Sequence, residues 1–328
     1  MSRYSIILPV FNGGEYFKDC VKSILAQTLN DFNLLILDNC STDDTVAWTE
    51  ALNDDRIVLY KSPTQLGMEN NWARIVTIPK NEYMTVIGHD DLLHPHYLET
   101  MNVLIAANPQ ASLYQSHFRY IDAKGEMLRT CKAMPLKMNA AEFLEAEINQ
   151  TMDSMGTGYM MRSSDYDALG GISPRYPNLI FADYELWMKL IMQHHLAITA
   201  EETFSYRIHD SLSKTTNGQA YQQAFGEYML FLNSIKNSSA ELTACIERNA
   251  KKMLLYFCES LSHRLLRTPA TERKITVKDF IQACKNYAKM LIPDQSFHPL
   301  RKPGIFFALL LDNPVGIVIF RLYRKIKY

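Results

Sequence analysis

The chain has 328 residues, 47% of them apolar, which is enough to bury a core and excludes a disordered or fibrous polymer. Its 34 Lys and Arg nearly balance 35 Asp and Glu, so a formal net charge of −1 provides no global field for nucleic acid or an acidic polymer. The six cysteines (Cys20, Cys40, Cys131, Cys245, Cys258, Cys284) show no Cys-x-x-Cys spacing, which fits idle thiols in a reducing compartment rather than a disulfide framework or zinc site.

The amino terminus runs directly into a strand, Tyr4 to Pro9, leaving no room for a signal peptide; a cytoplasmic location is expected. After a Pro-Val-Phe-Asn-Gly-Gly turn, Glu15 to Gln27 has helical spacing, with Phe17, Val21, Ile24 and Leu25 on one side. Phe32 to Leu37 is a second strand ending at Asp38-Asn39, and Ser41-Thr42-Asp43-Asp44 supplies a cap for a helix over Thr45 to Leu52. Ile57 to Tyr60 is a third strand, Gly67 to Ile75 a short helix, and Tyr83 to Ile87 a fourth strand. Strands separated by helices imply right-handed crossovers and a parallel sheet, with strands one, two and four delivering polar loops to one rim.

The fourth strand ends in His89-Asp90-Asp91, where open α/β sheets place their ligands. Two like charges in a crevice require a cation or strong hydrogen-bond donors, and a divalent metal holding a diphosphate meets that requirement. The alternative is a helix start, with Asp91 capping Pro95 to Asn108. From Ala111 to His209 the pattern is mixed: strands at Ser112–Ser116, Tyr159–Met161 and Phe204–Ile208, and helices at Ala140–Ile148, Ser163–Leu169 and Asp183–Gln193. Beyond Gly218 only helices are expected, at Gln219–Ser234, Leu242–Leu266 and Thr276–Leu291.

Six segments in order resemble the motifs of family 2 inverting glycosyltransferases. They are Pro9-Val10-Phe11-Asn12-Gly13, Ser23-Ile24-Leu25-Ala26-Gln27-Thr28, Asp38-Asn39-Cys40-Ser41-Thr42-Asp43, His89-Asp90-Asp91, Asp183-Tyr184-Glu185-Leu186-Trp187 and Tyr206-Arg207-Ile208-His209-Asp210-Ser211-Leu212-Ser213. The resemblance covers residues 4 to 214. It implies the GT-A fold, an α/β architecture with a mostly parallel sheet flanked by helices, followed here by a helical extension. The expected division is 1–215 and 216–328. The implied reaction moves a sugar from a nucleotide-diphosphate sugar, a UDP-sugar by preference, to a saccharide or lipid-linked acceptor in surface polysaccharide synthesis of a bacterial type. Mn²⁺ or Mg²⁺ is the implied cofactor.

Carried over residue by residue, Asp91 would coordinate the metal and Asp90 would contact the ribose or a metal-bound water. His209 would be a further metal or diphosphate ligand, the alternative being a structural histidine in a strand, and Arg207 a diphosphate contact. Pro9, Val10 and Phe11 could hold the nucleobase, although Asn12-Gly13-Gly14 explains the same stretch as a plain turn. Asn39 stands where the family usually has aspartate facing the base; an amide can still accept that bond, without charge assistance. Asp183 is the expected catalytic base, opening a helix anchored by Leu186, Trp187 and Leu190, and it can equally serve as an N-cap. Gly156-Thr157-Gly158 permits close backbone approach, while Asn71 and Arg74 could support the nucleotide crevice.

His89, Asn39 and Ala182 depart from the family pattern and motivate a second reading, a non-catalytic nucleotide-sugar-binding or scaffold subunit. A nucleotidyltransferase is disfavoured because no Gly-rich basic loop follows strand one. In the tail, Asp312-Asn313-Pro314 interrupts an apolar stretch followed by Arg321, Arg324, Lys325 and Lys327. Neither half reaches membrane-spanning length; peripheral contact with the inner face of a membrane and packing on protein both fit.

Overall fold

A computed structural model describes residues 2–209, 217–269 and 272–327, with side chains described as far as residue 322. Two compact units emerge, Met1–Pro174 with Ala182–Ser211, and Arg175–Phe181 with Leu212–Tyr328. The boundary expected at 215 and the Ser211-Leu212-Ser213 turn lie outside the described residues.

The first unit opens with β1 (Tyr4–Val10), α1 (Gly14–Leu25), β2 (Phe32–Asp38), α2 (Thr45–Ala51), β3 (Ile57–Lys61), α3 (Met68–Ala73) and β4 (Tyr83–Val86). β1 and β2 are buried along nearly their whole length because helices cover both faces, so they read as continuous apolar runs. The apolar stripe of α1 is Phe17, Cys20, Val21 and Ile24; Cys20 takes the place expected for Leu25. There follow β5 (Leu92–Leu93), α4 (Tyr97–Ala107), β6 (Leu113–Ile121), β7 (Met127–Thr130), β8 (Lys137–Met138), α5 (Ala140–Asn149), β9 (Met160–Arg162), α6 (Ser163–Ala168), α7 (Ala182–Gln193) and β10 (Leu196–Arg207).

One sheet runs β3-β2-β1-β4-β9-β6-β10-β5, with β7 beside β6 and β8 beside β10. The β3-β2-β1-β4 part is parallel, as the alternation of strands and helices requires. From β9 onward the sheet is mixed: β9 runs antiparallel to both β4 and β6, while β6 and β10 are parallel to each other. β10 begins at Leu196, well before the expected Phe204, and bulges near Glu202. Its last residues pair with β6 on one side (Arg207 with Ile121) and β5 on the other (Ser205 with Leu92). The carboxyl end of β10 is thereby brought to the turn that follows β4.

In the second unit, helices Gly218–Ile235, Ala240–Arg267 and Val277–Leu291 pack around an aromatic cluster. Phe181, from the segment Arg175–Phe181, stacks on Tyr228 at 5.2 Å, and Phe225 meets Phe257 at 4.8 Å. Side-chain caps at Asn217, Ser239 and Thr276 start the three helices. Helices Pro303–Leu310 and Pro314–Lys327 follow. No described helix is long and apolar enough to cross a membrane.

Candidate active site

The site begins where β4 gives way to a tight turn. The Asp91 N–H donates to the Gly88 carbonyl at 3.2 Å, which folds the Asp90 carboxylate back over Gly88. A Cβ on Gly88 would lie 2.7 Å from Asp90 Oδ1, so any larger residue there would push the Asp90 carboxylate aside. β5 starts at Leu92, so Asp91 enters a strand and does not cap α4.

The two aspartates have different surroundings. Asp91 is 2% exposed, and both of its oxygens are engaged. Oδ1 accepts from the Arg207 backbone N–H at 2.9 Å and Oδ2 from the Thr157 hydroxyl at 3.0 Å. Burial, with the neighbouring Asp90 charge, pushes its carboxyl well above the usual range. Asp90 is partly exposed, and its Oδ2 meets His209 Nε2 at 2.6 Å. His209 in turn lies against the Tyr16 ring on α1, centroids 5.3 Å apart. His89 is depressed below the ordinary histidine range, mainly by burial.

Arg207 is buried and turned inward. Its Nε donates to the Asp90 carbonyl at 2.8 Å, its Nη1 donates to the Asp122 and Ala123 carbonyls, and its guanidinium lies 4.6 Å from the Tyr16 ring centroid. Arg207 thus braces the end of β10 against the acidic turn.

Asp183 is the second residue of α7, whose Leu186, Trp187 and Leu190 are buried as expected. The Trp187 indole N–H donates to the Met155 carbonyl at 3.0 Å, fixing the segment before β9 against this helix. A Cβ on Gly156 would lie 3.3 Å from Asp183 Oδ2, while the next residue, Thr157, bonds Asp91. Two consecutive residues thus link the acidic turn to the Asp183 carboxylate. Burial raises Asp183 to about 6, against the lowering effect of hydrogen bonds from the Tyr184 and Asp183 N–H groups. The Tyr206 phenol is held un-ionised by burial and by the charges of Asp91, Asp90 and Asp183, which places it among all three. Behind Asp183, burial raises Glu147 to about 7, with Ser154 and Tyr184 as its hydrogen-bond partners.

On the opposite rim, Pro9 and Val10 are buried within β1, and Phe11 is the exposed member of the three. The loop after β1 is tied to the loop after β2: Asn12 N–H donates to Ser41 Oγ, and Asn12 Oδ1 accepts from Thr42 N–H. Asp43 bridges the starts of both helices, accepting from Gly14 N–H and Thr45 N–H. Asn39 is buried, and its amide pairs with the backbone of one residue, donating to the Leu66 carbonyl at 2.9 Å and accepting from the Leu66 N–H at 2.8 Å. Its side chain closes the loop after β3 and faces that loop. Arg74 likewise works inward, donating to the Asp38 carbonyl at 2.6 Å.

The chain thus brings Asp90, Asp91, Asp183, Arg207 and His209 together, while Asn39 and Arg207 turn to the backbone. Sequence reasoning missed Tyr16, Tyr206 and the Thr157 hydroxyl. Tyr206 was visible as the residue preceding Arg207; Thr157 had no signal beyond its flanking glycines. No group of three His, Cys, Asp or Glu able to cage a metal occurs among the described residues. Asp90 and His209 offer one oxygen and one nitrogen at a partly exposed position. That fits a hard cation taking its remaining ligands from diphosphate and water, and it does not fit an all-protein cage.

Residues 5–170, just over half of the chain, match Glycosyl transferase family 2, and the chain belongs to that family. An uncharacterised glycosyltransferase of Rickettsia typhi is 27% identical over 218 residues, covering 65% of this chain and 65% of that protein; the chain therefore spans just under two thirds of that relative's length. Glycosyltransferase GlyG of Streptococcus pneumoniae is 24% identical over 123 residues, 37% of this chain and 41% of its own. Among solved structures, S. aureus TarS 1–349 in complex with UDP superposes with a TM-score of 0.67 at 14% identity, covering 99% of this chain and 92% of TarS. The complex with UDP-GlcNAc gives 0.64 at 14% identity, covering 98% and 92%. At such identity the likeness is one of fold, and that fold is the expected GT-A fold with its carboxyl-terminal helices.

Proposed function

We propose that this protein is an inverting glycosyltransferase that moves a sugar from a UDP-sugar to a hydroxyl of a saccharide or lipid-linked saccharide, on the cytoplasmic side of a bacterial envelope, in surface polysaccharide synthesis. The observation that carries this reading is the link through Gly156 and Thr157, which sets the Asp183 carboxylate beside the acidic turn of Asp90 and Asp91. The UDP complexes of TarS support the choice of donor by analogy of fold.

In this mechanism Asp183 accepts the proton of the acceptor hydroxyl while that oxygen attacks the anomeric carbon. The bond to the diphosphate breaks on the opposite face, and the nucleotide leaves with the bonding electrons. Burial makes Asp183 a stronger base than an exposed carboxylate, and it remains ionised above about pH 6. Asp90 and His209 are the residues that would hold Mn²⁺ or Mg²⁺. When bound, the cation would neutralise charge on the departing diphosphate. Asp91, its oxygens held by the Thr157 hydroxyl and the Arg207 N–H, is assigned the positioning of the turn. Arg207 does the same from β10. Phe11 is the side chain available to lie against the base.

The test is thermal stability and nucleotide release with a panel of UDP-sugars, with and without Mn²⁺. A cation-dependent shift with UDP release is expected, and Asp90→Ala should remove the shift; a ligand at 100 times its Kd adds about 2.7 kcal/mol. Binding without release for every sugar and acceptor tried would favour the non-catalytic reading, and no binding at all would defeat both.

A further inference from the structure

The last two helices carry an apolar surface that the fold does not cover. Of the 17 large apolar side chains exposed among the described residues, eight fall between Leu300 and Leu322. They include Phe306, Phe307 and Leu310 on helix Pro303–Leu310, and Val318, Ile319 and Leu322 on helix Pro314–Lys327. Their spacing of three and four residues makes one stripe on each helix. The inward faces are already satisfied: Ile305 and Ala308 are buried, and Phe320 lies against His263 at 5.5 Å. A solvated helix turns polar residues outward, whereas here the outward positions are the apolar ones.

Charge identifies the occupant. Residues 296–328 contain six Lys or Arg (Arg301, Lys302, Arg321, Arg324, Lys325, Lys327), of which Lys302 is paired with Glu259 at 2.6 Å, and a single acidic residue, Asp312. Asp312 is paired with Arg273 and also accepts from the Val277 N–H at 2.6 Å, so it contributes little outward negative field. Arg321 is held against the carbonyls of Leu266, Arg267 and Thr268, anchoring the last helix on the end of helix Ala240–Arg267. Neither helix can span a bilayer. A second copy of the same face would set like charges against each other, whereas acidic lipid headgroups neutralise them.

We propose that helices Pro303–Leu310 and Pro314–Lys327 together form a surface that lies on an anionic lipid bilayer, with their apolar stripes in the headgroup–acyl boundary. This surface extends beyond the basic tail to a second helix, and it is independent of the sugar-transfer reading.

The experiment floats the full-length protein with vesicles of phosphatidylcholine alone and of phosphatidylcholine with phosphatidylglycerol. Flotation with the anionic vesicles only, weakened by salt, is expected. Phe306→Asp with Phe307→Asp, and separately Val318→Asp with Ile319→Asp, should each lower the partition coefficient at least tenfold while the circular-dichroism melt is unchanged. Lys325→Glu with Lys327→Glu should cut binding by roughly fivefold or more per residue. Ile319→Trp should emit blue-shifted fluorescence, quenched by brominated lipid beyond the wild-type background, a readout that does not depend on the acidic variants folding. Absence of flotation, equal flotation of the variants, preference for neutral vesicles, or an unquenched tryptophan would each overturn the proposal. A concentration-dependent dimer abolished by Val318→Asp with Ile319→Asp, without lipid binding, would assign the surface to a second copy instead.

Discussion

Replacing Asp183 with asparagine should make the protein more stable while removing its activity, and the gain should depend on pH. The folded protein raises this carboxyl from 3.8 to about 6, roughly two units at 1.36 kcal/mol each. Allowing for its partial exposure, the ionised form costs the fold about 2 kcal/mol. The sign follows from linkage. Below pH 3.8 both folded and unfolded chains hold the proton, and the substitution is neutral on this account. As pH rises the unfolded chain releases its proton first, so stability falls until the folded group ionises near pH 6. Above that the penalty is complete and Asp183→Asn escapes it, while its amide oxygen still accepts from the Tyr184 N–H. Differential melts should diverge from near coincidence at acid pH to about 4–8 °C above pH 7. Transfer should fall by about 10²–10⁴-fold. The wild-type kcat/KM should show an acid limb near pH 6, declining as Asp183 gains a proton. A stability gain of equal size at acid and neutral pH would refute the burial argument. Wild-type transfer by Asp183→Asn would refute the base assignment.

Two further substitutions separate bracing residues from working ones. Asp91→Ala leaves the buried Arg207 N–H and Thr157 hydroxyl without their acceptor, so it should lower the urea midpoint by an amount equal to about 1–3 kcal/mol. The cation-dependent thermal shift should survive, because Asp90 and His209 remain; loss of the shift in a folded variant would return Asp91 to the metal. Asn39→Asp restores the usual family residue but sets a carboxylate oxygen against the Leu66 carbonyl, and a loss of about 1–3 kcal/mol in urea titration is expected. Unchanged stability would show that Asn39 does not clamp the loop after β3.

Much of the architecture was legible because burial leaves a pattern. The apolar runs of β1, β2 and β4, the turn residues after each, and the capped helices of the second unit all announce themselves locally. β5 and β8 did not, since two residues carry no periodicity, and the start of β10 was hidden by its bulge at Glu202. Within the site, the residues that gather were visible in the motifs, but their division of labour was not. Nothing in Asp90-Asp91 says which carboxylate faces inward; Thr157 and Arg207, remote in the chain, decide it. Asn39 is similar: its partner is the backbone of Leu66, and backbone leaves no mark in composition.

The bond from the Arg207 amide to Asp91 joins residues 116 apart. At ribosomal speed, β10 is made on the order of ten seconds after the turn it completes. In that interval the emerging polypeptide carries its acidic turn in water, where two adjacent carboxylates are readily hydrated. Thr157 reaches one oxygen of Asp91 earlier, and arrival of the last strand supplies the donor for the other. A chain that ends before β10 therefore has both carboxylates of the turn but not the Arg207 amide that holds one of them in place.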